Sequence, residues 1–336
     1  MPGYQILCSG SVLPDQYGYR LERPAASCTT TKPLVESRLH TILHVTSKAA
    51  RRPSAKQDCN PAMIETIYVL RHGYRLNWVT QVWKSETGLP RDPPLAAYGH
   101  TQAAEVAGYF LSLPEDERPT AIFSSPYYRC LQTTKPISMA LNVPIYVEHG
   151  LSEWYSPVEL GTGLHPRPFP AHRLQDYFSE IDPSWSSIYY PSRKGEDVDQ
   201  CHDRTEAVLY HLVNEVESRF EGQHKRILLV SHAATIIAVN RALLGDREAP
   251  MRIGCCTLSE FQRKTGEGTV PGGWDGVKIG DGSHMKEGAG RDWGFEDIIL
   301  LGGKVINDEG QPGTEGELDD PVGLQLPVHV EGNARM

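Results

Sequence analysis

The chain has 336 residues, of which 39% are hydrophobic and 22% charged, ordinary globular usage that leaves material for a sizeable core. A net charge of −9 argues against a protein that coats nucleic acid or an anionic membrane, but not against a local basic pocket. Seven cysteines, odd in number and without metal-ligand spacing, and the absence of an Asn-x-Ser/Thr acceptor favour a reducing compartment, so a cytoplasmic or nuclear location is expected.

Residues 1–60 carry Pro, Ser and Thr without a sustained period and read as a poorly ordered extension with no secretory signal. Organisation begins at 64–70, a short apolar β-rich run of the kind buried on both faces of a parallel sheet, and it ends in Arg71-His72-Gly73. A helix is expected over about 99–113, with Ala103, Val106, Ala107, Phe110 and Leu111 on one face and Pro114 to stop it. A second strand covers 120–124, Pro126 opens a helix to about 141, and 143–147 makes a third strand. Residues 155–198, rich in Pro, Gly, Tyr and Trp, read as a functional loop or lid.

A helix follows over about 200–220, then a fourth strand at 226–231, a helix at 233–244 and a last strand within 256–263. The stretch 227–244 is the most apolar in the chain, yet Ser231, His232, Asn240 and Arg241 interrupt it, so it reads as strand-turn-helix and not as a membrane span. Segment 264–303 is Gly-rich and partly packed, and 304–336 is acidic, with the composition of a disordered tail. Strands alternating with helices indicate an α/β, three-layer doubly wound sandwich with a mainly parallel sheet, its domain spanning 61–303 around a core of 61–262.

Chemistry-bearing residues gather where strands end, which is where open α/β sheets place their sites. His72 directly follows a buried strand, with Arg71 before it and Arg75 close behind. An oriented imidazole attacks phosphorus when neighbouring guanidiniums neutralise the phosphate. His232 lies at a second strand-to-helix junction, where helix N-terminal amides favour an anion. Arg129, in the run Ser124-Ser-Pro-Tyr-Tyr-Arg129, offers bidentate recognition of phosphate oxygens from a first helical turn. Glu153 stands beside Trp154, a neighbour that desolvates a carboxyl, raises its pKa and suits it to donate a proton. Each feature alone has an ordinary reading as a turn, a cap or a surface pair. Together, in this order, they describe a phosphate site.

These residues resemble the histidine phosphatase superfamily, with its phosphoglycerate mutase-like fold, over about 61–262. The resemblance implies His72 as nucleophile, Arg71, Arg129 and His232 as the rest of the phosphate pocket, and Glu153 as the acid. Within the family, 67–78, 125–131 and 150–155 are similar to the phosphatase-domain (tau) subunits of yeast-type transcription factor TFIIIC and to Sts/TULA-type phosphatases. Tyr74-Arg75 stands where mutases carry Ser or Thr, and an extra Arg beside the nucleophile favours hydrolysis. The resemblance therefore implies a phosphomonoester hydrolase that works through phosphohistidine, with no metal or other cofactor and a phosphorylated small molecule or phosphoprotein as substrate. The alternatives are a weakly active assembly module among transcription factor subunits and a mutase-like phosphotransferase. Direct nucleic-acid or membrane binding is not expected. The aromatic residues Tyr155, Phe169, Tyr177, Trp185 and Tyr189 suggest room for an aromatic or hydrophobic leaving group.

Overall fold

The computed structural model describes residues 63–265, 270–298, 300–301, 304–305 and 308–325, all within the unit Gln57–Met336. The extension expected over 1–60 lies outside them. Strand β1 is Thr66–Arg71, and helix α1, Ala97–Ser112, follows it. Then come β2 (Ala121–Ser124), α2 (Tyr128–Leu141) and β3 (Ile145–Val147). After a long cover segment containing α3 (Ala171–Leu174) and β4 (Tyr189–Tyr190), the chain forms α4 (Val198–Arg219), β5 (Arg226–Ser231) and α5 (Ala233–Leu244). The last two strands of the main sheet are β6 (Leu258–Arg263) and β7 (Trp274–Asp281).

The sheet runs in the order β3-β2-β5-β1-β6-β7, parallel from β3 to β1 and antiparallel at β6 and β7. This is the mainly parallel, three-layer α/β sandwich that the alternation of elements predicts. Successive residues of β1 serve opposite layers. Ile67 and Val69 pack with Val208, Leu212, Ile236 and Val239 of α4 and α5, while Tyr68 and Leu70 pack with Val106, Phe110 and Ile137 of α1 and α2. With both faces buried, the strand reads as a continuous apolar run. Leu111, placed on the apolar face of α1 by its spacing, is instead 44% exposed. Strand β7 was legible only as a partly packed Gly-rich stretch. Its Trp274 is fully buried and it pairs with β6.

The 155–198 segment is a packed cover. Leu174, Phe178, Ile181, Trp185 and Ile188 are buried. The Glu148 carboxylate, itself fully buried, staples the segment down by accepting from the backbone N–H groups of Gly150, Ile188 and Tyr189 and from Trp185 Nε1. The described part of the acidic tail also departs from expectation, while 326–336 lies outside the described residues. Residues 308–325 lie along this cover instead of being disordered: Gly323 and Leu324 pair with β4, Asp319 meets Arg167, and Glu317 meets Arg193. Its acidic groups find guanidinium partners, so the fold extends past 303.

One close contact fixes the loop after β1. Gly73 and Gly99 pack backbone against backbone, and a Cβ on Gly99 would collide with the carbonyl oxygen of Tyr74. Gly99→Ala is therefore expected to destabilise the protein by about 1–3 kcal/mol, the usual range for overpacking. Thermal or urea unfolding measures this, and an unchanged midpoint would refute the contact.

Candidate active site

Parallel register creates the site. Arg71 pairs with Ser231 across β1 and β5, so the next residues, His72 and His232, leave neighbouring strand ends together, with ring centroids 5.3 Å apart. Strand β2 ends beside them, and Ser125 donates its backbone N–H to the Val230 carbonyl oxygen. Helix α2 then begins at Tyr128, which puts Arg129 in its first turn. His232 occupies the N-cap position of α5, and the first residues of that helix, Ala233 and Ala234, line the cleft.

His72 is buried, and its Nδ1 lies 2.8 Å from the Gly73 carbonyl oxygen. A carbonyl only accepts, so Nδ1 carries the proton and Nε2 keeps its lone pair. Burial is the largest cause holding the His72 pKa well below the ordinary 6.5, reinforced by Arg129, His232, Arg71 and Arg75. The ring is therefore neutral at physiological pH.

Arg129 is fully buried. Its Nη1 donates to Asp92 Oδ1 at 3.0 Å and its Nη2 to Glu153 Oε2 at 3.0 Å, with His232 Nδ1 at 3.1 Å from Nη2. Burial lowers its pKa, but the carboxylates of Asp92 and Glu153 more than reverse this. Arg71 donates from Nη1 to the carbonyl oxygens of Ile253 and Arg291, both at 2.6 Å, and its Nε is buried without a partner. Arg75 stacks 4.2 Å from the Trp78 ring centroid and forms no ion pair among the described residues. Burial, then repulsion by Arg129 and Arg71, lowers its pKa to about 10, so it stays charged at neutral pH.

Glu153 reaches the same point: Oε2 lies 3.3 Å from His232 Nδ1. Burial pulls its pKa upward, but His232, Arg129 and Arg75 outweigh burial and hold the carboxyl below its usual range. The raised pKa expected from Trp154 is thus corrected, because His232 and the two guanidiniums outweigh burial. His232 is lowered to about 4, first by burial and against the pull of Glu153. Ser125 Oγ lies 2.8 Å from its Nε2.

All of the sequence-selected residues therefore meet around one point. Arg71, His72, Arg75 and Glu153 line a cleft of about 200 Å³ with Trp154, Ala233, Ala234 and Trp293, and Arg129 and His232 both contact Glu153 Oε2, at 3.0 and 3.3 Å. His72, Glu153 and His232 bring ligand atoms within 4.8 Å of one another. A cation there would face the guanidiniums of Arg71, Arg75 and Arg129, so the field suits an anion and not a metal.

Sequence reasoning missed Asp92, Ser125 and Trp293 as parts of the site. Ser125 stood within the Ser124–Arg129 run, but nothing in the sequence marked Asp92, which is 1% exposed and also accepts the Tyr128 backbone N–H at 2.9 Å. The proposed aromatic lining is also corrected. Trp185 is buried in the core against Phe123, Tyr177 is exposed, and the cleft takes its indoles from Trp154 and Trp293.

The sequence model of the Histidine phosphatase superfamily (branch 1) matches residues 67–271. The chain belongs to the histidine phosphatase superfamily. Curated relatives include the transcription factor tau 55 kDa subunit of Saccharomyces cerevisiae, 36% identical over 212 residues, which make up 60% of this chain and 48% of that one. The ecdysteroid-phosphate phosphatase of Drosophila melanogaster is 24% identical, covering 62% of this chain and 32% of its own. The human ubiquitin-associated and SH3 domain-containing protein A is 31% identical, covering 46% and 23% respectively. The chain thus spans less than half the length of each. A crystal structure of the ecdysone phosphate phosphatase from Bombix mori, in complex with tungstate, superposes with a TM-score of 0.50 at 20% identity, covering 64% of this chain and 93% of that one. It has the same fold as this histidine phosphatase family member.

The protonation state of His72 is directly measurable. Because the unfolded chain binds a proton near pH 6.5 and the folded ring does not, stability should fall as pH drops below that value. Side-chain ¹⁵N spectra should show His72 neutral and Nδ1-protonated at acidic pH values where an ordinary imidazole, with its pKa near 6.5, is already charged. An apparent His72 pKa at or above 6.5 would contradict the assignment.

Proposed function

We propose that this protein is a metal-independent phosphomonoester hydrolase acting through phosphohistidine. The observation that carries the reading is a buried, neutral His72 with a free Nε2, facing a pocket of guanidiniums in which Arg75 makes no close ion pair among the described residues. A half-buried cation with no close ion pair is stabilised when an anion joins it. A phosphoryl group is an anion of suitable shape, and the planar forks of Arg71, Arg75 and Arg129 match its oxygens.

In this reading Nε2 of His72 attacks phosphorus as the P–O bond to the leaving oxygen breaks. Arg71, Arg75, Arg129 and His232 hold the equatorial oxygens, and the amides at the start of α5 add a favourable dipole. Glu153 protonates the leaving oxygen. A phosphate dianion held against the same guanidiniums offsets the cations that keep Glu153 ionised, and its own charge pushes the carboxyl pKa back up. Water then attacks phosphorus, the P–N bond breaks, Glu153 takes the water proton, and phosphate leaves with His72 regenerated. The guanidiniums supply the charge that metal ions supply in other phosphoryl transfers.

A second reading, an assembly role in a transcription factor complex in the nucleus, is supported by the likeness to the tau 55 kDa subunit. The Tyr74-Arg75 pair after the nucleophile disfavours the mutase alternative, since Arg75 adds positive charge at the phosphate. Among the described residues no helix is long and apolar enough to cross a membrane.

Release of phosphate from p-nitrophenyl phosphate in EDTA tests the leading reading. Turnover should persist without metal and vanish in His72→Ala, and Glu153→Ala should lose about 100-fold on a poor leaving group, the low end of general-acid contributions. Wild-type release no faster than His72→Ala would sink the phosphatase reading and leave the assembly role in front.

A further inference from the structure

Residues 308 and 309 lie beyond the family-matched stretch 67–271 and lie far in sequence from the pocket, yet they complete a closed ring of hydrogen bonds beside it. Arg91 Nη1 lies 3.3 Å from His165 Nδ1. His165 Nε2 lies 2.8 Å from the Ser156 carbonyl oxygen, which only accepts, so Nε2 donates and Nδ1 accepts from Arg91. Ser156 donates both its backbone N–H, at 3.2 Å, and its hydroxyl, at 3.0 Å, to Asp308 Oδ2. One peptide bond on, the Glu309 carbonyl oxygen accepts from Arg91 Nη2 at 2.6 Å and closes the ring.

The two segments held by this ring carry groups of the pocket. Arg91 adopts a left-handed backbone, φ +58°, unusual for a residue with a side chain, and so needs external support. The next residue, Asp92, is the buried carboxylate that orients Arg129 at 3.0 Å. Ser156 follows closely on Glu153, and Tyr155 between them stacks on His165 with centroids 4.6 Å apart. Backbone bonds reinforce the junction: Asp308 N–H donates to the Pro157 carbonyl oxygen at 3.0 Å, and Glu159 N–H to the Asp308 carbonyl oxygen at 2.7 Å. Asp308 and Glu309 thus tie the Arg129 side of the pocket to the Glu153 side.

We propose that Asp308 and the Glu309 carbonyl are positioning groups for the phosphate site, acting through Ser156 and Arg91 to set the relative placement of Glu153 and Arg129. This rests on the phosphatase reading for its kinetic consequences. Small displacements of a catalytic group cost large factors in rate, and a misplaced acid costs most when the leaving group needs its proton. Phenyl phosphate needs that proton, whereas p-nitrophenolate departs largely without it.

The test compares the full-length wild type with Asp308→Ala, Asp308→Asn, His165→Phe and Glu317→Ala, with melting midpoints recorded for each. Asp308→Ala should lower kcat/KM for phenyl phosphate about 10-fold and for p-nitrophenyl phosphate less than about 2-fold, and should weaken orthovanadate binding about 10-fold. His165→Phe, which keeps an aromatic stack on Tyr155 but opens the ring, should show the same split. Asp308→Asn, which keeps an acceptor for Ser156, should restore most of the loss. Glu317→Ala, which breaks the Arg193 pair elsewhere on the same segment, should leave the leaving-group ratio unchanged. If folded Asp308→Ala and His165→Phe both retain the wild-type ratio and vanadate affinity, the positioning role is wrong. If the wild type shows no turnover at all, the phosphatase reading fails, and vanadate affinity alone then decides the role of the ring.

Discussion

Arg129 carries a full positive charge into the interior of the molecule, and the arrangement of the pocket follows from how that charge is compensated. A buried guanidinium is tolerable only when its donors are matched by acceptors and its charge by carboxylates. Asp92 meets one edge, Glu153 the other, and His232 faces the same nitrogen as Glu153. Each partner comes from a different part of the chain: the loop before α1, the turn after β3, and the end of β5. Satisfying Arg129 therefore draws three strand and loop ends to one point. Leaving it unsatisfied would cost several kcal/mol.

The same charge sets the protonation states around it. With burial, it helps to keep His72 neutral, the form in which an imidazole nitrogen has a lone pair to share. It also helps keep Glu153 ionised against the pull of burial, so the pocket holds a neutral nucleophile and a carboxylate side by side. Arg71, bonded only to carbonyl oxygens, and Arg75, stacked on Trp78, add positive charge that the two carboxylates do not cancel. An electropositive recess in a chain of net charge −9 is a local design, and a phosphoryl dianion is its natural complement.

Much of this was legible in the sequence because it depends on local pattern. The apolar runs of β1, β2 and β5 mark buried parallel strands, and sites in such sheets lie at strand ends, where His72, His232 and Arg129 stand. Asp92 was not legible, because its partner Arg129 is distant in sequence and no periodicity links them. The sign of the Glu153 shift is hidden for the same reason: Trp154 is visible in sequence, but His232, Arg129 and Arg75 act on the carboxyl only in space. The acidic tail illustrates a different limit. Composition cannot separate charges that stay solvated from charges that find partners, and Asp308, Glu317 and Asp319 find Ser156, Arg193 and Arg167.

Covalent trapping on His72 tests the central claim most directly. Rapid alkaline quench of the protein turning over an aryl phosphate, followed by peptide mass spectrometry, should reveal a phosphoryl group on the His72 imidazole that is stable to base and lost in acid. Turnover that proceeds with no such adduct, or with the phosphoryl group on another residue, would contradict the account of His72 as the phosphate acceptor.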